Sequence, residues 1–291
     1  MSISHFAHAL KLDQKGNTVY FDDNPAEQKK LLKRLKRNRL FKHLNLVTTR
    51  FEQGDAIGLF TPIAGTTDTL AGEERSPKLA LAPYQRYHCE QVNLDSYIPY
   101  SRIDHYNLEN ELETHLNAQL DRSLLNGLLM VGWLEKIRKG KPQAVINGST
   151  VGENGQFKSL NALIKQALTY IAPAYAAGGE MIAICGREII GDSPIAFQQA
   201  DLDEELAELL TLSQRTIGGL KAVSIPYFPS NVVLITRLDN LSLYVHLNNI
   251  RRKVIDQPKC DAVQTFYSLN IDYVVEDFNA CCLVENIEIN D

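Results

Sequence analysis

The fold is decided by the last quarter of the chain, which reads IPYFPSNVVLITRLDNLSLYVH at 225–246, RRKVID at 251–256 and SLNIDYVVEDFNACCLVENIEI at 268–289. Runs of Val, Ile, Leu and Tyr that are bounded by Pro, Asn and Asp are typical of β-strands separated by turns. We predict three successive strands and then a final pair joined by a turn at 277–279. The predicted strands are Ala222–Ile225, Asn231–Ile235, Leu241–His246, Phe266–Glu276 and Cys281–Ile289.

Upstream of these strands, the pattern alternates between helical and extended segments. Leucine recurs every fourth residue from Leu108 to Leu128, which predicts a long helix over 107–129. Ser159 is a suitable N-cap for a helix over 160–171, and a strand follows at Met181–Cys185. We predict an acidic amphipathic helix at 202–212 and a connector at 139–156. The whole indicates an α+β fold.

Charge is unevenly distributed along the 291 residues. The first 50 residues contain 11 Lys or Arg and 4 Asp or Glu, a net charge of +7, so the remainder carries −12 of the total −5. A helix that opens at Asn24-Pro25 contains eight cations and, from 29 to 42, no acid. Like charges repel within a helix, so we predict that this segment contacts an acidic surface or nucleic acid, the alternative being a solvated helical face. The predicted contacts are Lys29, Lys30, Lys33, Arg34, Lys36, Arg37, Arg39 and Lys42.

Residues 52–100 read as an extended excursion from the compact part of the chain. β-type alternation at Ala56–Thr61 and Tyr87–Ile98 encloses GTTDTLAGEERSPKLALAP at 65–83, which is poor in core-forming residues. A loop of this length is uncommon inside a compact domain. We therefore expect a hairpin that packs on something outside its own domain, or else a flexible surface hairpin.

The sequence contains no recognised catalytic motif, metal motif or membrane span. The seven histidines lack metal-ligand spacing, and the five cysteines lack CxxC spacing and fit a reducing compartment. His88 and Cys89 are adjacent on a predicted strand and point to opposite faces, so they cannot act on each other. Adjacent Cys281 and Cys282 are predicted to be buried thiols. We therefore expect a protein that is not an enzyme and needs no cofactor.

Four blocks together carry a resemblance to a known family: 62–78 (PIAGTTDTLAGEERSPK), 87–100 (YHCEQVNLDSYIPY), 131–138 (VGWLEKIR) and the last quarter. Their sequence and order closely resemble the major capsid proteins of tailed bacteriophages of the peduovirus (phage P-two) type. One departure is that 124–130 (LLNGLLM) runs almost directly into the VGWLEKIR block, where relatives carry a polar insertion. Any contact made by that insertion is therefore not expected here.

The resemblance implies a Hong Kong 97-like capsid fold. It would divide the chain into a basic N-terminal arm (1–50), an E-loop hairpin (51–100), a P-domain with a long spine helix (101–170 and 254–291) and an A-domain (171–253). The arm would face the interior of a shell. In this family such an arm is often trimmed by a maturation protease, so we expect either a precursor form or a member that matures without cleavage.

The function implied by the resemblance is self-assembly into pentamers and hexamers that form an icosahedral shell around double-stranded DNA. Such a protein would lie in the virion capsid and assemble in the host cytoplasm. Its implied partners are copies of itself, packaged DNA, and a scaffolding protein, maturation protease, portal and decoration proteins. One alternative is the shell of a satellite element or an encapsulin-type compartment. Another, of a different class, is a soluble nucleic-acid-binding protein that uses the basic helix at 29–42.

Overall fold

The computed structural model describes residues 19–20, 32–33, 35–36, 39–59, 61–62, 79–80, 85–102, 122–129, 132, 145–186, 189, 211–225 and 227–289. Helices occupy α1 (Arg39–His43), α2 (Leu160–Leu168) and α3 (Pro173–Ala176), with further helical residues at 32–33, 35–36, 100–102 and 122–129. The strands are β1 (Val19–Tyr20), β2 (Asn45–Thr49), β3 (Gln53–Asp55), β4 (Thr61–Pro62), β5 (Leu79–Ala80), β6 (Arg86–His88), β7 (Glu90–Asn93), β8 (Ser96–Pro99), β9 (Val145–Asn147), β10 (Thr150–Val151), β11 (Ile182–Cys185), β12 (Thr211–Ile217), β13 (Leu220–Ser224), β14 (Val233–Thr236), β15 (Leu241–Gln257), β16 (Ala262–Val275), β17 (Cys281–Glu285) and β18 (Glu288–Ile289).

One sheet is built around the long antiparallel pair β15 and β16, and we call it the long-hairpin sheet. β1 and β2 pair with β15, while β7 and β8 pair with β16. Alternate residues of β15, such as Leu243 and Val245, face a large apolar core, here called the first core. It also contains Leu269 and Ile271 of β16. This two-residue period is what the pleat of a strand requires when one face is buried.

A second sheet, here called the compact sheet, has the order β12-β13-β11-β14-β17-β9. Its central strands are buried on both faces, because Leu234 and Leu283 join the core shared with the long-hairpin sheet while Val233 and Val284 face a second core. The second core lies against α2, whose Leu163, Ile164 and Ala167 are fully buried. Burial on two faces accounts for the nearly continuous apolar runs in these strands.

Two short crossovers between the sheets lie next to each other. The first crossover (237–240) joins β14 to β15, and the second (276–280) joins β16 to β17; each contains a short 3-10 turn. Asn240 ties them together: its side-chain amide donates to the Asp277 carbonyl at 2.9 Å, and its side-chain oxygen accepts from the Asp277 N–H at 2.8 Å. The two sheets are therefore connected by a hydrogen-bonded double corner.

The double corner makes the predicted final hairpin wrong. β16 and β17 do not pair with each other, because β16 pairs with β15 and β17 pairs with β14 and β9. Asp277 accepts a hydrogen bond from the N–H of Asn279 and starts the turn that redirects the chain into the other sheet. The predicted division of the chain between residues 253 and 254 lies within β15.

Other predicted elements agree with the structure to differing extents. α2 is confirmed with Ser159 as its cap, whose hydroxyl accepts from the Ala162 N–H at 3.3 Å. The predicted acidic helix does not reach residue 212, because 211–217 form β12, and 202–210 lie outside the described residues. The predicted connector at 139–156 contains β9 and β10. Of the predicted helix over 107–129, residues 122–129 are described and helical, and Leu124, Leu128 and Leu129 are buried in the first core.

Candidate assembly surfaces

The basic segment is attached to the body by its apolar side chains. Leu35 and Phe41 are each 1% exposed and lie in the first core, together with Leu44. β2 follows directly and pairs in parallel with β15, from Asn45 opposite Ser242 to Thr49 opposite His246. The end of the segment predicted to be an arm is thus part of the folded body.

The described lysines of this segment are exposed to solvent. Lys33, Lys36 and Lys42 are exposed, and Arg39 begins α1. Lys29, Lys30, Arg34 and Arg37 lie outside the described residues. The structure therefore brings three exposed lysines to the surface next to a buried apolar stripe, as expected for an amphipathic helix.

The predicted hairpin contains two described antiparallel strand pairs, β3 with β6 and β4 with β5, which are here called the ribbon. Gln53 lies opposite His88 and Pro62 lies opposite Leu79, so the nine-residue steps along the two strands match and one register runs through both strand pairs. Among the described residues, β3, β4, β5 and β6 have no further strand partner. Of the predicted second strand at 87–98, only Tyr87 and His88 belong to the hairpin, as part of β6. The remainder forms β7 and β8, which pair with β16.

At its base the hairpin is seated on the long-hairpin sheet through aromatic rings. The ring of Tyr87 stacks on that of Tyr244, with centroids 4.6 Å apart and an interplanar angle of 16°. A Cβ at Gly54, which lies opposite Tyr87, would be 2.7–2.9 Å from atoms of the Tyr87 side chain. Gly54 therefore leaves the space that lets the ring of Tyr87 cover the neighbouring strand.

A polar cluster, here called the hairpin clamp, holds the strand beyond Gly54. The N–H of Ile57 donates to the hydroxyl of Tyr244 at 2.9 Å, and that hydroxyl lies 3.1 Å from Oε1 of Glu276. The N–H of Gly58 donates to Oε2 of Glu276 at 2.7 Å. Burial raises the pKa of Tyr244, and the adjacent Glu276 raises it further, so the hydroxyl keeps its proton and donates to the carboxylate.

Several large apolar side chains are exposed on this framework. Phe51 and Ile57 flank the hairpin base with 74% and 59% of their surface exposed. On the long-hairpin sheet, Tyr97 is 70% exposed and lies opposite Gln264, two residues from the exposed Phe266 on the same face. Tyrosine and phenylalanine exposed in this way are typical of protein–protein contact surfaces.

The residues that are candidates for chemistry are separated by the fold. His88 is exposed and Cys89 is fully buried, so the two face opposite sides as predicted. Cys281 lies in the first core and Cys282 in the second, and burial raises the pKa of each thiol to about 12. In the part of the chain that the structure describes, no group of three His, Cys, Asp or Glu side chains is placed to hold a metal ion. No helix of these residues is long and apolar enough to cross a membrane.

Sequence reasoning missed the hairpin clamp. In the sequence, Glu276 is an acidic residue at the end of a predicted strand, and nothing there distinguishes it from other acids. Only its burial in the structure, at 1% exposed, indicates that it has a structural role. Its partner Gly58 is 218 positions away along the chain, and Ile57 is 187 positions from its partner Tyr244. Both contribute backbone N–H groups, which leave no residue-type signal.

Comparisons with known proteins agree with one another. The profile of the family described as phage major capsid protein, P2 family, matches residues 3–134 and 126–287. A capsid protein of Escherichia phage P2 is 35% identical over 290 residues, covering 85% of this chain and 81% of the relative. The major capsid protein of Serratia phage KSP20 is 27% identical over 281 residues, covering 83% and 80%.

Solved structures show the same relationship. The satellite phage P4 procapsid that includes the size determination (Sid) protein matches with a TM-score of 0.76 and 28% identity, over 99% of this chain and 97% of that chain. A virus-like particle from Pyrococcus furiosus matches with a TM-score of 0.53 at 14% identity, over 89% and 98%, and shows the fold alone. The α+β fold is therefore that of Hong Kong 97-like shell proteins.

The family profile spans most of the chain, and a relative with 35% identity covers most of its length. Shell proteins act by contacts between copies, which agrees with the exposed aromatic side chains and the separate two-stranded pairs of the hairpin among the described residues. This chain belongs to the P2 family of phage major capsid proteins, and it is a self-assembling structural subunit of a tailed-phage virion shell rather than an enzyme.

Proposed function

We propose that copies of this chain form pentamers and hexamers that close an icosahedral shell around double-stranded DNA, after assembly in the host cytoplasm. The observation that carries this proposal is the ribbon, which keeps one register from Gln53–His88 to Pro62–Leu79. A two-stranded ribbon alone in water is at best marginally stable. A neighbouring copy supplies the surface that the ribbon lacks, and laying ribbons across neighbours ties subunits together.

In this proposal the parts of the chain have distinct tasks. Residues 51–100 act as the E-loop, 107–129 as the spine helix, 1–50 as an arm, and the rest as P-domain (101–170 and 254–291) and A-domain (171–253). Heterologous contacts between such parts close rings around local symmetry axes. Scaffolding, maturation-protease, portal and decoration proteins join the same assembly pathway as partners.

The basic segment is proposed to face the shell interior and contact an anion there. Leu35 and Phe41 support this idea, because they hold the helix against the body and leave Lys33, Lys36 and Lys42 exposed. Packaged DNA is one such anion, and an acidic scaffold or the acidic inner surface of a neighbour is the other. Long-range attraction of either kind weakens as salt screens it.

The proposal is tested by electron microscopy of the purified protein and of a variant that lacks residues 65–83. Wild-type protein is expected to form closed shells, rings or tubes without a cofactor. The deletion removes the outer hairpin but keeps the paired base at β3 and β6, so it is expected to give folded, soluble subunits that do not close shells. Wild-type protein that stays monomeric in light scattering at all accessible concentrations would overturn the proposal.

A second candidate is the shell of a satellite element, which the similarity to the satellite phage P4 procapsid favours. The same subunit fold serves either shell, so the subunit alone does not separate the two. Sequencing the DNA inside purified particles does so. A genome that encodes this chain together with tail proteins supports the tailed phage, and a genome without them supports the satellite.

A further inference from the structure

Two consecutive carboxylates in the second crossover make similar contacts on opposite sides. Glu276 and Asp277 are only 1% and 2% exposed. Each accepts a hydrogen bond from a tyrosine hydroxyl: Glu276 from Tyr244 at 3.1 Å, and Asp277 from Tyr175 at 2.7 Å. A buried carboxylate needs such donors, because desolvation disfavours its charge.

The two carboxylates differ in what else they hold. Asp277 binds elements of the body, since its other oxygen accepts from the backbone and side-chain amides of Asn279, and Tyr175 belongs to α3. Glu276 and Tyr244 instead accept from the backbone of the hairpin, at Gly58 and Ile57. These two hydrogen bonds hold consecutive peptide groups and so restrict the direction in which the strand continues.

We propose that Tyr244 and Glu276 are positioning residues for assembly, which fix the angle at which the hairpin leaves the subunit and so set the curvature and diameter of the shell. This inference rests on the proposed packing of the hairpin on a neighbouring copy. The outer strand pair lies nine residues beyond the first along each strand, so a small rotation at the base displaces the outer pair by a larger distance. Such a displacement changes how neighbouring subunits tilt.

The chain offers a matched set of variants for a test. Tyr244→Phe and Glu276→Gln weaken the hairpin clamp, whereas Tyr175→Phe and Asp277→Asn remove equivalent buried hydrogen bonds that do not touch the hairpin. Both pairs are expected to lower the unfolding temperature of the subunit to a similar extent. Only the clamp pair is expected to replace the single wild-type particle diameter with a mixture of diameters or tubes in electron micrographs.

A second comparison avoids buried side chains in case those variants fold poorly. Gly58 has a φ of +78° and open space around its Cβ position, and Gly179 has a φ of +71° and equally open space. Alanine strains the backbone at either position. Gly58→Ala and Gly179→Ala are therefore expected to lose similar stability, while only Gly58→Ala alters particle diameter.

The outcomes separate this inference from the function on which it rests. If the variant lacking residues 65–83 assembles like wild type, the proposed packing of the hairpin is wrong. If that deletion blocks assembly but Glu276→Gln, Tyr244→Phe and Gly58→Ala all give wild-type particles, the packing stands and the role of the hairpin clamp is overturned. Equal changes in diameter for clamp and control variants also overturn it, because the effect then follows stability alone.

Discussion

The basic segment and the projecting hairpin are fastened to the same sheet by different forces. The basic segment inserts Leu35 and Phe41, both 1% exposed, into the core beneath β15. The hairpin base rests on the opposite face of β15, where Tyr244 stacks on Tyr87 and accepts from the backbone of Ile57. One attachment is therefore apolar and the other largely polar and aromatic.

The difference teaches which attachment stabilises and which one orients. Apolar burial is roughly proportional to area and nearly independent of direction, so it holds the basic segment firmly without defining a single angle. Hydrogen bonds contribute less net free energy but demand alignment of donor and acceptor. The hairpin clamp is thus suited to defining geometry at a modest cost in stability.

The largest expected effect comes from removing the apolar anchor. Phe41→Ala deletes a fully buried ring from the first core and is expected to lower the free energy of unfolding by about 3–5 kcal/mol. Urea denaturation of the isolated subunit measures it. The neighbouring Lys42→Ala is the control, because exposed Lys42 is expected to change stability by no more than about 0.5 kcal/mol. Equal effects of the two variants would show that the segment is not anchored by its ring.

A smaller loss is expected at the hairpin base. Gly54→Ala places a Cβ within 2.7–2.9 Å of the Tyr87 side chain and forces the stacked rings apart. Overpacking of this kind costs about 1–3 kcal/mol. Gly178→Ala is the matched control, since its Cβ meets only the Tyr175 carbonyl at 3.5 Å and the backbone has no positive φ. Thermal unfolding of both variants compares them, and an unchanged melting temperature for Gly54→Ala contradicts the proposed seating of the ring.

The hairpin base and the core around the basic segment are also expected to open at different rates. Chemical labelling of the cysteines buried in each measures this difference. Cys89 is 0% exposed beneath the hairpin base, beside Tyr87 and Tyr244, whereas Cys281 is 1% exposed in the core that contains Phe41. Exposed Cys260 is an internal reference that reacts first. We expect Cys89 to be labelled before Cys281 in native protein, because the small cluster at the hairpin base opens at a lower free energy than the large core. A difference of about 1.4 kcal/mol in opening free energy gives a tenfold difference in the population of the open form.

The pH dependence of this labelling follows from burial. Burial raises the pKa of Cys281 from 9.0 to about 12, so the folded thiol stays neutral while an opened one ionises near its ordinary value. The contribution of the neutral, buried thiol to the free energy of unfolding is complete below pH 9.0, and it is lost as the pH rises towards about 12. Peptide mass spectrometry at successive times gives both rates, and simultaneous labelling of Cys89 and Cys281 would mean that the hairpin base opens only with the whole subunit.

The smallest effect on stability is expected from the exposed cations. Reversing Lys33, Lys36 and Lys42 to Glu is expected to change the unfolding free energy by at most about 1 kcal/mol per site, because all three are exposed. The yield of filled particles should fall at low salt, and the difference from wild type should shrink at high salt. Packaging equal to wild type at low salt would show that the charge is incidental and the face merely solvated.

Local features could be read from the sequence where a single segment contains the whole signal. The α2 helix begins after Ser159 because the capping hydroxyl and the apolar face lie within a few residues of each other. Cys281 and Cys282 were placed on opposite faces because a strand alternates. The predicted pairing of β16 with β17 failed, because two strands joined by a short turn look the same in sequence whether they form a hairpin or enter separate sheets.

The sequence by itself determined the α+β class, the buried strands, the basic segment and, through four ordered blocks, the capsid family. Only the tertiary structure decided that the chain turns a double corner at Asn240 and Asp277 and that Leu35 and Phe41 anchor the cationic segment. The tertiary structure also places the carboxylate of Glu276 within hydrogen-bonding distance of the Gly58 N–H. The reason is physical: periodicity and capping act over a few residues, whereas these contacts join groups far apart in the chain, often through backbone atoms that every residue type shares.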